Sequence, residues 1–202
     1  MIIGIAGAKR AGKNTVAKFI AEEFGNEYEV CEWSFAEDLK RSAAEALGET
    51  SDHIQFCEAL KEHGTIAVYM DDTKVSEISG REYLQFYGTE AHRDIFDTDF
   101  WVNNTLNKIC RIEQNISLED WKNRIDLITD VRFPNEAEEI RDLGGKILKV
   151  RRDEVEQSGD THASEKPLPD ELIDRTILNN GTLEELKHNT GIAIDLVLRG
   201  IV

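Results

Sequence analysis

Basic residues are scarce in this 202-residue chain: 24 Lys and Arg stand against 40 Asp and Glu, a formal net charge of −16. Duplex DNA and anionic membranes are polyanions held by Lys and Arg, so neither nucleic acid nor a membrane is expected as the main partner. A small phosphate ligand stays compatible if the few cations converge at one place. Cysteine is equally sparse, with Cys31, Cys57 and Cys110 at wide, irregular spacing. An odd, scattered set suits neither a disulfide framework nor a zinc site; the expectation is three small buried apolar residues in a reducing compartment. No apolar run approaches the roughly 20 residues of a membrane span. The opening "MIIGIAG" is too short for a signal peptide and lacks its basic leader, so a cytoplasmic location is expected.

What is present describes a globular α/β protein, with 40% hydrophobic and 32% charged residues. Ile2–Ala6 is a short β-branched run, read as a buried strand. Val16, Ala17, Phe19, Ile20 and Phe24 recur at three- and four-residue spacing, the signature of a helix with one apolar face. Tyr28–Phe35 reads as a second strand and Glu37–Leu47 as a helix stopped by Gly48. "SDHIQFCEALKEHG" predicts a helix, "TIAVYMDDTKVSEISG" a short strand or loop, and Arg81–Phe96 and Phe100–Gln114 two further helices. Strands at Ile125–Asp130, "KILKVRR" and "RTILNN" alternate with helices at "PNEAEEIRDLGG" and "TLEELKHNTGIAIDLVLRG"; a polar loop spans 153–170. Short apolar strands alternating with helices imply parallel strands joined by crossovers. No repeat or linker interrupts the chain, so one domain over 1–202 is expected.

Gly7-Ala8-Lys9-Arg10-Ala11-Gly12-Lys13 matches G-x-x-x-x-G-K between the first strand and the first helix. Glycines permit a tight turn that presents backbone N–H groups to phosphate oxygens, and the helix N-terminus adds a positive dipole. Lys13 would reach the β- and γ-phosphates. The next residue is Asn14, where the pattern normally places a hydroxyl that ligates Mg²⁺. An Asn carbonyl or water would take that place, while Thr15 would meet the phosphates.

"GAKRAGKNT" resembles the phosphate loop of phage-type deoxynucleoside monophosphate kinases of the P-loop superfamily. "SFAEDLKRSAAEAL", "REYLQFYGTEAHRDIF", "DFWV", "ITDVRFPNEAEEIRDLGGKILKVRR", "DTHASEKPL" and "ILNNGTLEEL" are similar to family segments in the same order. The resemblance implies a three-layer sandwich around a five-stranded parallel sheet. It also implies transfer of the γ-phosphate of ATP to a deoxynucleoside monophosphate with Mg²⁺ as cofactor. Gly7, Lys9, Arg10, Ala11, Gly12, Lys13, Asn14 and Thr15 would hold the triphosphate. Asn179, Asn180 and Gly181 would meet adenine, although Asn-Gly followed by Thr182 is also an ordinary turn and helix cap. Asp130, at a strand end, would hold Mg²⁺ or its waters with Asn14. Arg132 would grip the acceptor phosphate, unless it merely pairs with Glu136.

For the acceptor, the resemblance points to a region over about 34–115. Ser34, Phe35, Ala36 and Lys40 lie at its start; Arg81, Gln85 and Gly88 share one helix face; Arg93 is a further phosphate cation. Trp101 reads as a core anchor. Arg151 and Arg152 would neutralise charge on the transferred phosphoryl from a lid over about 151–170, in which Thr161, His162 and Glu165 match the family without an assigned role. The 49–80 segment would either cover substrate or make a homodimer contact. Two rivals remain: a P-loop kinase for another small acceptor, such as dephospho-coenzyme A or phosphomevalonate, and a non-catalytic nucleotide switch or scaffold. A switch would carry a guanine-reading N-K-x-D, which is absent.

Overall fold

The computed structural model describes residues 1–70, 72–156 and 167–201. Strand β1 (Ile2–Ala6) leads to helix α1 (Lys13–Phe24), strand β2 (Glu29–Trp33) and helices α2 (Phe35–Ala46) and α3 (His53–His63). Strands β3 (Thr65–Met70) and β4 (Thr73–Ser79) precede α4 (Gly80–Gly88), a π-helical turn (Thr89–Arg93), α5 (Phe100–Glu113) and the short α6 (Leu118–Lys122). Then come β5 (Arg124–Val131), α7 (Pro134–Asp142), β6 (Lys146–Arg151), α8 (Asp153–Glu156), a 3₁₀ turn (Asp170–Leu172), β7 (Arg175–Leu178) and α9 (Leu183–Leu198). These elements fall into two compact units, Met1–Ser34 with Leu106–Val202, and Phe35–Thr105.

The first unit is built on a five-stranded sheet of order β2-β5-β1-β6-β7, parallel throughout. Ile3 and Ile5 of β1 point to one face with Leu127, Leu148 and Val150, where Val16, Ala17 and Ile20 of α1 and Ile194 and Val197 of α9 close the core. Gly4 points to the other face, where a Cβ would meet Ile147 and Ile140, the latter from α7. Helix, sheet and helix thus make the three layers, as the alternation of strand and helix requires. Parallel pairing gathers all five carboxyl ends on one edge, where such sheets bind ligands.

One irregularity shapes that edge. Gly4 pairs with Ile128 and Ala6 with Val131, so two steps along β1 match three along β5. The extra residue is a bulge of the kind that re-aims a side chain at a strand end, here beside Asp130.

β5 also carries charge into the core: Arg124 and Asp126 are buried. Arg124 donates to Asp126 through Nε and Nη2 and to Glu29 through Nη1. Trp33 Nε1 donates to Asp126 Oδ1 at 2.6 Å. The Arg124 guanidinium is pushed above its usual pKa by its hydrogen bonds to Asp126.

In the second unit, α2, α3 and α4 enclose Ala43, Ala44, Cys57 and Leu84, with Leu39, Phe56, Tyr83 and Tyr87 packed against them. Asp52 caps α3 and Ser79 caps α4, the latter in a reciprocal box with Glu82. The segment over 65–79, read from sequence as a short strand or loop, is a two-stranded antiparallel sheet. Arg81–Phe96 is not one helix either: the α-helix ends at Gly88, and Asp94 N–H reaches back five residues to Thr89 O, the π spacing. The wider turn seats the His92 ring among Tyr87, Phe100 and Trp101, with centroids 4.6, 5.1 and 4.9 Å away.

Candidate active site

The loop between β1 and α1 is shaped by its two glycines. Gly7 takes φ 144, and a Cβ there would overlap the Val150 carbonyl oxygen; Gly12 takes φ 105, and a Cβ would lie 2.6 Å from Asn179 Nδ2. Only glycine meets both demands at once. Arg10 also adopts a left-handed conformation, φ 67, costly for a side chain and typical of ligand-holding turns. Lys13 Nζ folds over the loop and donates to the Gly7 and Ala8 carbonyls at 2.7 and 3.0 Å. Helix α1 starts at Gly12 without a side-chain cap and without an acid in its first turn, whereas Asp52, Ser79 and Thr182 cap α3, α4 and α9. Its first-turn amides at Lys13, Asn14 and Thr15 therefore suit an anion. Ala11 is buried, while Lys9, Arg10 and Asn14 are exposed.

At the end of β5, Asp130 Oδ2 accepts the Ser34 hydroxyl at 2.8 Å. Thr129 Oγ1 donates to Trp33 O, so β2 and β5 are tied together at this edge. Glu136 is buried, and its Oε2 accepts the backbone N–H groups of Arg132 and Phe133 at 2.6 and 3.0 Å. The carboxylate thus caps α7 through the backbone, while the Arg132 side chain is exposed.

Arg151 closes β6. Its Nε donates to Asp153 Oδ1 at 2.9 Å, and Arg152 Nη2 donates to Glu154 Oε2 at 3.2 Å. Asn179 N–H donates to Arg151 O, and Asn179 Nδ2 donates to Ala11 O at 2.8 Å. Both ends of the Asn180 amide engage Asp153: Oδ1 accepts its N–H at 2.9 Å and Nδ2 donates to its Oδ2 at 2.8 Å. A Cβ on Gly181 would strike the Glu185 carboxylate, which caps α9 through Thr182 N–H. The phosphate loop, Arg151 and the 179–181 loop are therefore brought together. Thr161, His162 and Glu165 lie outside the described residues.

The remaining acceptor candidates lie in the second unit. Phe35 is buried and Ala36 half-buried. Lys40 Nζ donates to Glu58 Oε1 at 2.7 Å, which with Lys61 holds that carboxyl below its usual range. Of the three cysteines expected to be buried, Cys57 is, and burial raises its thiol pKa, whereas Cys31 and Cys110 are only half-buried. Arg81 and Gln85 are exposed on α4, whereas Gly88 is buried with Leu39 where a side chain would stand. The space at Gly88 is filled by packing within the unit. Trp101 is buried and its indole donates to Gly88 O at 3.0 Å, the anchor the sequence suggested. Arg93 Nε donates to Thr98 O at 3.0 Å.

Sequence reasoning passed over Arg41, paired with the buried Asp38, whose Oδ2 also accepts Asn104 Nδ2 at 3.1 Å. An acid three residues before an arginine on one helix was the available signal. It also passed over Asp153, whose only sequence mark is its place two residues after Arg151.

Sheet order, loop geometry and the lysine over the loop define a P-loop kinase fold. A dephospho-CoA kinase from Campylobacter jejuni superposes with TM-score 0.53 at 14% identity, over 100% of this chain and 98% of that one. The deoxynucleotide monophosphate kinase family model matches residues 57–190, and the chain belongs to that family. A protein of Acanthamoeba polyphaga mimivirus, provisionally named a deoxynucleotide monophosphate kinase, is 30% identical over 188 residues, 92% of this chain and 91% of the relative. The deoxynucleoside-5′-monophosphate kinase of Escherichia phage T5 is 24% identical, with 89% of each chain covered. The deoxynucleotide monophosphate kinase of Escherichia phage RB69 is 34% identical over 107 residues, 52% of this chain and 41% of the relative.

Proposed function

We propose that this chain transfers the γ-phosphoryl group of ATP to a deoxynucleoside monophosphate, giving ADP and the deoxynucleoside diphosphate. The observation that carries the donor half is the loop: two glycines at positive φ, an uncapped helix start and Lys13 over the turn form an anion cradle beside Asp130. Family membership supports the acceptor.

No side-chain nucleophile is needed, because the acceptor's phosphate oxygen attacks. The chain's part is positioning and charge neutralisation. The loop amides and Lys13 orient the β- and γ-phosphates, and Arg151 and Arg152 meet charge developing on the transferred group. Asn179 sets the 179–181 loop against the phosphate loop, where backbone groups would meet adenine. Arg132, Arg81 and Arg93 are the cations assigned to the acceptor phosphate, and Gln85 the amide assigned to its base.

The donor set at the edge is oxygen-rich: the Asp130 carboxylate, one oxygen of which takes the Ser34 hydroxyl, and the Asn14 amide. Such donors fit Mg²⁺, a hard cation that keeps several waters. Asp130 and Asn14 would hold it, directly or through water, and it would supply charge neutralisation at the phosphates.

A coupled ADP-release assay with Mg-ATP and each dNMP, dUMP and AMP tests the reading. The expected result is acceptor-dependent turnover that collapses in Lys13→Ala. ATP binding without turnover on any nucleotide would overturn it and favour another small acceptor.

A further inference from the structure

Asp153 does more than end an exposed ion pair. One carboxylate oxygen takes Arg151 Nε at 2.9 Å, the other takes Asn180 Nδ2 at 2.8 Å, and its own N–H returns to Asn180 Oδ1 at 2.9 Å. Asn180 and Asp153 thus grip each other at two points, which fixes the carboxylate that holds the arginine. The neighbouring Asn179 fastens the same loop to the phosphate loop through Ala11 O, and to the strand end through Arg151 O. Arg151 follows Val150, whose carbonyl oxygen lies where a Gly7 side chain would be. The guanidinium is therefore tied, through Asp153 and two adjacent asparagines, to the turn that would hold the triphosphate.

A long arginine side chain at a strand end loses much rotamer freedom when it is held. Here it is held before any nucleotide arrives, and preorganisation of this kind strengthens binding by removing an ordering cost. We infer that Asp153 is a positioning residue, which sets the Arg151 guanidinium for the phosphate groups of the nucleotide, and that Asn180 anchors it. The inference rests on the kinase reading proposed above. It also gives the Asn180 amide a task other than base recognition, since both its ends engage Asp153.

The test is ATP titration by calorimetry without acceptor, alongside KM for ATP and kcat, in wild type, Asp153→Ala, Arg151→Ala and the double variant. Asp153→Ala is expected to weaken ATP about three- to fivefold, the range open to a constrained exposed pair. The effect should fall on KM more than on kcat, with unchanged melting temperature. The double variant should be no weaker than Arg151→Ala alone, because Asp153 acts through the arginine. Asn180→Ala should reproduce part of the loss and serves as the readout if Asp153→Ala does not fold. Unchanged or tighter ATP binding in Asp153→Ala, or additive losses in the double variant, would overturn the inference. A wild type that binds ATP but turns over no nucleotide would overturn the kinase reading alone, since the coupling is read from ATP binding.

Discussion

Ser34 and Asp130 lie 96 positions apart in the chain, yet the serine hydroxyl donates to the aspartate at 2.8 Å where β2 and β5 end side by side. The bond fixes one carboxylate oxygen at the edge where the phosphate loop turns. Asp130→Asn is expected to lower kcat by about a hundredfold or more, the usual scale for a lost charge-stabilising group. Ser34→Ala removes one neutral donor, so a change of about tenfold or less is expected. Steady-state kinetics on the two variants check the order; equal losses would contradict it.

The two constraints on Gly7, backbone angle and space, can be separated. Gly48 also has positive φ, 85°, but among the described residues nothing lies within 4 Å of an added Cβ. Gly48→Ala should cost about 1 kcal/mol from backbone conformation alone. Gly7→Ala adds the overlap with Val150 O and should cost about 2–4 kcal/mol. Urea denaturation of both variants gives the comparison.

The buried Arg124–Asp126 pair makes a prediction about stability. Arg124→Ala leaves the Asp126 carboxylate buried and short of its donor, at a cost of about 3–5 kcal/mol. The double variant Arg124→Met, Asp126→Leu removes both charges and should regain most of that loss, which thermal melts at matched pH will show.

Glu113 gives a pH signature. Burial, and then the Asp126 charge, push its carboxyl above the usual range, and its Oε1 is buried with no hydrogen-bond partner among the described residues. The folded chain therefore keeps this proton to higher pH than the unfolded chain, whose Glu pKa is about 4.3. Between the two values the folded state binds more protons, so this group's contribution to stability falls as pH rises through the window and stays lost above it. Glu113→Gln should flatten that part of the pH profile and be more stable than wild type at neutral pH. Melting curves from pH 4 to 8 measure it.

The parallel sheet was legible because its central strands β1 and β5 are apolar runs buried on both faces, each followed by helical periodicity. Phosphate-loop spacing was legible for a chemical reason, since tight turns need glycine. The hairpin was obscured by weak alternation over 65–79 and by Asp72, a non-glycine residue at φ 61. The π turn is invisible to a 3.6-residue template, because it runs on directly from the helical periodicity of α4. The ties of Ser34 to Asp130 and of Asn180 to Asp153 join residues distant in sequence, and no local pattern encodes them. Lys40 shows the converse: the family resemblance implies an acceptor role for it, and the structure gives it Glu58 as a partner.

The bond from Asn179 to Ala11 joins positions 168 residues apart. Its consequence is temporal. The loop that would cradle the triphosphate is synthesised before β6 and β7, and the loop that braces it only after them. A nascent chain lacking Asn179 holds the glycine turn without its brace, so the braced turn forms only once β7 and the residues after it have been made.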